Sequence, residues 1–310
     1  MSATEDISWQ ELRRITREWA GDAAELDEVK PLVGGAINTT LALHTTAGDR
    51  AVLKISPHRV DRSYEREAEQ LKLLKQIGLP VPDVYVTKTG TLDQPFSYII
   101  IEFIEGMDLS AARRACDAEQ FDRLQERLAE MVATLHDQRG ETYCRVAGGN
   151  QEQFGSWPAF YRHVYDVIWH EAEKSPLLTS KCRKQIGKVH ERLDRLVAHT
   201  DGPRLVHWDI WATNLLVKPD EKGEWQITGL LDPNCKYAHA EAEIAYMELF
   251  HTINHAFSKA YQKRHRLPSE YHQYRKVVYQ LYPLLNHLNL FGQEYVKPLM
   301  AQVEKVSAIV

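Results

Sequence analysis

The sequence predicts an α+β protein with two lobes: a β-rich N-terminal lobe over residues 1–104 and a mainly helical one over 105–310. Three observations carry that expectation. The 310 residues reach the size at which a single core stops growing and chains divide. Up to about residue 104, short apolar runs of strand length alternate with turn residues around one helical segment. After "EGMDLS", apolar residues recur at three- and four-residue spacing almost to the C-terminus.

Each element has a local reason. Ser8-x-x-Glu11 forms a capping box, with Ile7 and Leu12 placed as a hydrophobic staple, so a helix starts near residue 9. "VKPLVGGAINTTLALHTT" reads as strand, glycine turn, strand, and "AVLKI" as the next strand. Residues 63–77 have helical periodicity, stopped by Gly78 and Pro80. A strand at 84–87 and the run "SYIIIEFI" complete the first lobe, and the joint falls at 103–106. Beyond it, Asp117-x-x-Gln120 caps a helix with Leu124, Leu128 and Val132 on one stripe. Helical patterns follow over 157–173, 180–198, 241–262 and 269–291. They are interrupted over 204–232, which reads as a hairpin-like strand, loop, strand. A cleft between two such lobes is the expected ligand site.

Composition excludes several classes. With 38 Lys and Arg against 43 Asp and Glu, the net charge is −5, and no face-length basic stripe is present, so no nucleic-acid partner is expected. The four cysteines, at 116, 144, 182 and 235, suit neither a disulfide framework nor a zinc site. The N-terminus "MSATEDISWQ" lacks the pattern of a secretory signal, and no apolar run approaches bilayer length. A cytoplasmic protein without a membrane partner is the expectation. The oligomeric state is not legible.

The chemistry concentrates in "RLVHWDIWATNLLVK", residues 204–218, where His207, Asp209 and Asn214 sit within a strand-like apolar run. An unpaired buried carboxylate costs several kcal/mol, roughly, so such residues need partners. After a turn at "PDEKGEW", the run "QITGLLD" delivers a second carboxylate, Asp232. Asp and Asn oxygens brought together are hard ligands that suit Mg²⁺, and a further carboxylate can orient a hydroxyl nucleophile. Taken singly, each has a plainer reading: Asp209 and Asp232 as turn formers, Asn214 as a loop residue, His207 as a structural histidine.

Their order along the chain changes the odds. Gly34 and Gly35 lie between two strands, where backbone N–H groups can approach phosphates. Lys54 centres the strand "AVLKI", and Glu67 lies on the inward stripe of the following helix with Tyr64, Leu71 and Leu74. A carboxylate on that stripe calls for a cation, which Lys54 can supply. Backbone groups of Glu102 and Ile104 at the joint are placed to read an adenine edge. Glycine turn, lysine, helix glutamate, joint, HxDxxxxN and aspartate follow the serial order of the protein-kinase signature set. The short interval between Asp232 and the helical pattern at 241 leaves no room for a protein kinase's activation loop.

"HWDIWATN" resembles the HGDLWxxN box of the fructosamine kinase branch of the aminoglycoside phosphotransferase-like kinases. "DPNCKYAHAEAEIAYMELF" and "YQLYPLLNHLNLFGQEY" are similar to that branch's later segments, and the likeness spans roughly residues 30–300. It implies a protein-kinase-like fold and an ATP- and Mg²⁺-dependent transfer of the γ-phosphoryl group to a sugar hydroxyl, as on fructosamines and ribulosamines. By the same resemblance the N-terminal lobe binds nucleotide and the helical lobe supplies the catalytic and acceptor side. Asp209 would be the catalytic base or orienting group, with Asn214 and Asp232 on the metal. Lys54, paired with Glu67, would bind the α/β-phosphates, and Gly34 and Gly35 would cover the nucleotide. Trp211, His207, Glu243 and His287 are candidates for substrate contact or support of the loop. Trp208 stands where the box usually has Gly, Ala36 where several relatives carry a redox-active Cys, and His251 and Thr252 replace small residues. An aminoglycoside, macrolide or other metabolite phosphotransferase is the alternative on this scaffold, and a nucleotide-binding pseudokinase a more distant one.

Overall fold

The computed structural model describes residues 7–32, 39–57, 62–91, 94, 96–146 and 152–309. The chain divides into two compact units. The first comprises Met1–Asp117, Val146–Asn150 and Thr213–Asn234, and the second Ala118–Arg145, Gln151–Ala212 and Cys235–Val310.

In the first unit Ser8 caps helix α1 (Trp9–Ala20) by accepting the Glu11 N–H at 3.1 Å, while Ile7 and Leu12 are both buried, as the capping box and staple require. A five-stranded sheet follows, built from β1 (Leu26–Pro31), β2 (Thr39–Thr45), β3 (Arg50–Pro57), β4 (Val84–Lys88) and β5 (Phe96–Glu102). Its order is β1-β2-β3-β5-β4, every pair antiparallel. Strand side chains alternate between faces. Ala51, Leu53 and Ile55 of β3 therefore enter one core cluster with Leu12 and Ile15 of α1, while Lys54 and Ser56 turn to the opposite face, towards α2 (Ser63–Gln76).

The sheet is followed by β6 (Met107–Asp108) and α3 (Leu109–Ala115). The hairpin of β9 (Leu215–Pro219) and β10 (Trp225–Leu230) pairs with β6, and the Leu230 N–H donates to Pro80 O at 2.6 Å. These bonds draw residues 213–234 into the first unit, whereas the sequence expectation cuts the chain once, after residue 104. Gly106 permits the contact, because a Cβ there would stand 3.0 Å from Val217 O.

The second unit contains α4 (Ala118–Asp137), β7 (Cys144–Arg145), α5 (Trp157–Ala172), α6 (Ser180–Glu191), α7 (Leu193–Leu196), β8 (Arg204–Val206), β11 (Lys236–Ala238), α8 (Ala240–Leu249), α9 (His255–Tyr261), α10 (Lys276–Tyr279), α11 (Leu281–Phe291) and α12 (Val296–Ser307). Strands β7, β11 and β8 form a sheet in that order. The stretch 204–232 is thus not one hairpin, since β8 pairs with β11 in a separate sheet. Nor is 241–262 one helix. It breaks where His251 takes φ 53 and the Thr252 N–H reaches back to Met247 O at 2.9 Å, the six-to-one bond of a left-handed helix stop. The pattern over 269–291 opens with a π-turn at Tyr271–Arg275 before α10 and α11, and 180–198 divides at Arg192 into α6 and α7. Among the described residues no helix is long and apolar enough to cross a membrane.

Candidate active site

In the first unit, three predicted residues, Lys54, Glu67 and Asp232, come together. β3 carries Ser56 and Lys54 on one face, and α2 carries Tyr64 and Glu67 one turn apart. Ser56 Oγ lies 2.9 Å from Tyr64 Oη, and Lys54 Nζ lies 2.5 Å from Glu67 Oε1. Strand period and helix period are matched here, so two successive same-face positions meet two successive turns. Lys54 Nζ also donates to Asp232 Oδ1. Both members of the Lys54–Glu67 pair are largely buried, at 12% and 16% side-chain exposure. Burial alone pulls the ammonium's pKa down; the charges of Glu67 and Asp232 more than reverse this, so it stands above the ordinary lysine value.

Asp232 and Asn214 are neighbours through the hairpin. The antiparallel register sets Leu215 opposite Leu230, and one step further the Leu231 N–H donates to Asn214 O at 2.9 Å. Asp232 follows directly, at φ 58, a left-handed conformation in which Asp is enriched. The residues that carry the carboxylate and the amide are therefore one ladder step apart along the backbone. The donor set is hard oxygen, which fits Mg²⁺ or a similar cation and not a soft metal. Among the described residues no group of three or more His, Cys, Asp or Glu side chains forms a metal cage. A site of this kind would leave further positions to water or phosphate, as Mg²⁺ prefers.

In the second unit, the loop after β8 is held from α8. His207 is fully buried, and its Nδ1 accepts the Asp209 N–H at 3.3 Å. Glu243, also buried, accepts the Trp208 N–H on Oε1 and bonds His136 Nε2 through Oε2 at 2.8 Å. His136 Nδ1 lies 2.7 Å from Tyr261 Oη. One turn beyond Glu243, Tyr246 donates its hydroxyl to Asp209 Oδ1 at 2.5 Å.

Trp208 takes φ 71, a conformation that costs a residue with a Cβ about 1–2 kcal/mol. This is the physical reason a glycine suits that position of the box. The indole is supported instead by its neighbours. It meets the Tyr282 ring edge-on at 5.7 Å, and the Lys236 ammonium lies 4.6 Å from its centroid. Lys236 is buried, at 1% exposure. Burial, and secondarily the charge of Arg145, lower its pKa well below the ordinary value, with Cys235, Asp209 and Glu243 opposing.

The remaining candidates are less gathered. Gly34 and Gly35, with Ala36, lie outside the described residues. The Glu102 N–H is committed to Asp83 O at 2.8 Å, and its carboxylate accepts the Asp83 N–H. Of its backbone groups the N–H therefore does not face an adenine. Ile104 Cδ1 lies over Gly229, 3.2 Å from where a Cβ would stand. Trp211 is exposed at 36%. His287 Nδ1 lies 2.7 Å from Pro283 O in a run of rings, 4.9 Å from Phe250 and 4.7 Å from Tyr295. Sequence reasoning missed Tyr246 and Lys236. The three-residue spacing from Glu243 on a predicted helix could have marked Tyr246; nothing in the sequence marks Lys236 as buried.

A protein-family model described as fructosamine kinase matches residues 8–308. The chain belongs to the fructosamine kinase family. A protein-ribulosamine 3-kinase, chloroplastic, of Oryza sativa subsp. indica is 28% identical over 304 residues, covering 93% of this chain and 82% of that protein. Probable ketoamine kinase YniA of Escherichia coli (strain K12) is 24% identical over 294 residues, 93% and 95% of the two chains. Among solved structures, a protein from Haemophilus somnus 129PT, provisionally named a fructosamine-3-kinase, superposes with a TM-score of 0.76 at 21% identity, over 96% of this chain and 97% of that one. An aminoglycoside phosphotransferase in complex with AMP-PNP and hygromycin B gives 0.68 at 15% identity, over 96% and 98%. The fold is the protein-kinase-like α+β fold that the signature order implied. As a fructosamine kinase family member the chain is an ATP-dependent phosphotransferase with a hydroxyl group as acceptor.

Proposed function

We propose that this fructosamine kinase family member uses ATP and Mg²⁺ to phosphorylate a sugar hydroxyl of a ketoamine, with a ribulosamine or fructosamine as acceptor, in the cytoplasm. The observation that carries the reading is the Lys54 ammonium paired at once with Glu67 of α2 and with Asp232. A cation so placed suits the nucleotide's α/β-phosphates, and Asp232, one backbone ladder step from Asn214, is assigned with it to the metal. Bound Mg²⁺ would neutralise phosphate charge. Gly34 and Gly35 would cover the nucleotide. Glu102 would offer the adenine its carbonyl, since its N–H is bonded to Asp83, and Ile104 its backbone N–H.

Asp209 is assigned to the acceptor hydroxyl. In a loose transition state the proton leaves late, so the carboxylate's main task is to aim the oxygen. Glu243 and His207 brace the loop that carries it, and Trp211 and His287 are assigned to the acceptor side. The test is an ATP-consumption screen over fructosyl-lysine, ribulosyl-lysine, aminoglycosides and macrolides, with Asp209→Asn as the blank. Turnover confined to the ketoamines is expected. Turnover of an antibiotic alone would move the assignment to the other phosphotransferases of this fold, and ATP-stabilised protein with no turnover of any acceptor would make it a nucleotide-binding module.

A further inference from the structure

A helix with most of its residues buried carries a phenol towards Asp209. α8 is buried through most of its length, with Ala240, Ala242, Ile244, Ala245 and Met247 packed together with Glu241 and Glu243. Its start is pinned twice. His239 accepts the Glu241 N–H, and Arg275 forks onto the Glu241 carboxylate at 2.6 and 2.7 Å, with both side chains buried. From this immobile element two groups one turn apart reach the same loop. Glu243 Oε1 takes the Trp208 N–H, and Tyr246 Oη donates to Asp209 Oδ1.

Resting on the assignment of Asp209 above, we propose that Tyr246 is a positioning residue: with Glu243 holding the backbone before Asp209, the Tyr246 hydroxyl sets the rotation of the carboxylate. A bond to the main chain does not restrain a side chain's own torsions; the bond from Tyr246 to a carboxylate oxygen does. The phenol is itself held, its ring 4.8 Å from that of Phe250. Burial, then the charge of Asp209, raise its pKa above the ordinary tyrosine value, so it stays a proton donor throughout the working range. Glu243 and Tyr295 also act on Tyr246, and Lys236 on Asp209; all three are unchanged in the variants below.

Tyr246→Phe keeps the ring and deletes the donor; Tyr246→Met, also without a donor, serves should the Phe variant fail to fold. With ribulosyl-lysine and ATP-Mg²⁺, kcat is expected to fall about tenfold, the loss of one hydrogen bond to a charged group. KM for ATP should stay within about twofold, because that bond does not touch the nucleotide-binding residues assigned above. The acid limb of the kcat–pH profile should move up by about one unit, because the lost bond favoured the ionised carboxylate. Unchanged kcat and an unmoved acid limb would overturn the proposal. So would a fall in kcat with the acid limb unmoved and a lowered thermal midpoint, which is what packing alone predicts. Asp209→Asn is assayed alongside. If it retains near-normal turnover, the reading of Asp209 fails and this inference with it; if it is inactive while Tyr246→Phe is normal, only the inference fails.

Discussion

The Lys236 ammonium lies under the indole of Trp208, 4.6 Å from the ring centroid, and this contact helps a tryptophan keep a backbone at φ 71. Two effects oppose each other in Trp208→Gly. Releasing the left-handed strain returns about 1–2 kcal/mol. Losing a part-buried indole, with its contacts to Tyr282 and Lys236, costs about 3–4 kcal/mol. The balance predicts a variant less stable by about 2 kcal/mol, read from urea denaturation of the two proteins. A glycine variant as stable as the parent would show that strain outweighs packing here.

Asp209 is predicted to matter for turnover and not for nucleotide binding. Asp209→Ala should lower kcat by roughly 10²–10⁴, with ATP affinity by calorimetry nearly unchanged. Near-normal turnover in the alanine variant would remove Asp209 from the mechanism.

The Lys54–Glu67–Asp232 group predicts a graded response. Lys54→Met removes the cation assigned to the phosphates and leaves Glu67 without its partner at 2.5 Å. KM for ATP should rise at least about tenfold, and the thermal shift on adding ATP, a mass-action effect, should nearly vanish. Glu67→Gln leaves Lys54 bonded to Asp232 and should raise KM by a smaller factor, about threefold. Equal effects of the two changes would argue against the assigned roles.

His199 predicts an acid limb in stability. Burial first, then the charge of Arg275, lower its pKa from 6.5 to about 4, with Asp201 opposing. Its ring packs 3.3 Å from that of His239, and Nδ1 accepts the Asp201 N–H at 2.9 Å. The folded state therefore holds this ring neutral where the unfolded chain already binds a proton, so stability falls as pH drops from about 6.5 towards 4. His199→Asn preserves an acceptor for Asp201 without titrating. Its thermal midpoint should depend less steeply on pH across that window than the parent's, as followed by circular dichroism.

Much of this molecule is written in local patterns. Ser8, Glu11, Ile7 and Leu12 announce the first helix because capping and stapling involve residues only a few positions apart. The alternation of β3 tells which face Lys54 takes, and the stripe of α2 tells which face Glu67 takes. Their pairing follows once strand and helix are adjacent. The order of Lys54, Glu67, Asp209, Asn214 and Asp232 likewise reads directly from the chain, and with it the family.

Other features were decided by segments far apart in sequence. The hairpin at 213–234 joins the first unit because β6 and Pro80 offer it backbone partners, which no local pattern encodes. The helix expected over 241–262 ends early where His251 adopts a left-handed conformation and Gln125 of α4 bonds Thr252 O at 3.1 Å. Tyr246 meets Asp209, and Lys236 lies beneath Trp208, only because α8 and β11 are brought beside the loop after β8. Local propensity is a matter of a few neighbouring dihedral angles and is legible residue by residue. The choice of partner for a buried charge depends on which distant side chain fills the space beside it, and that is settled only when the chain packs.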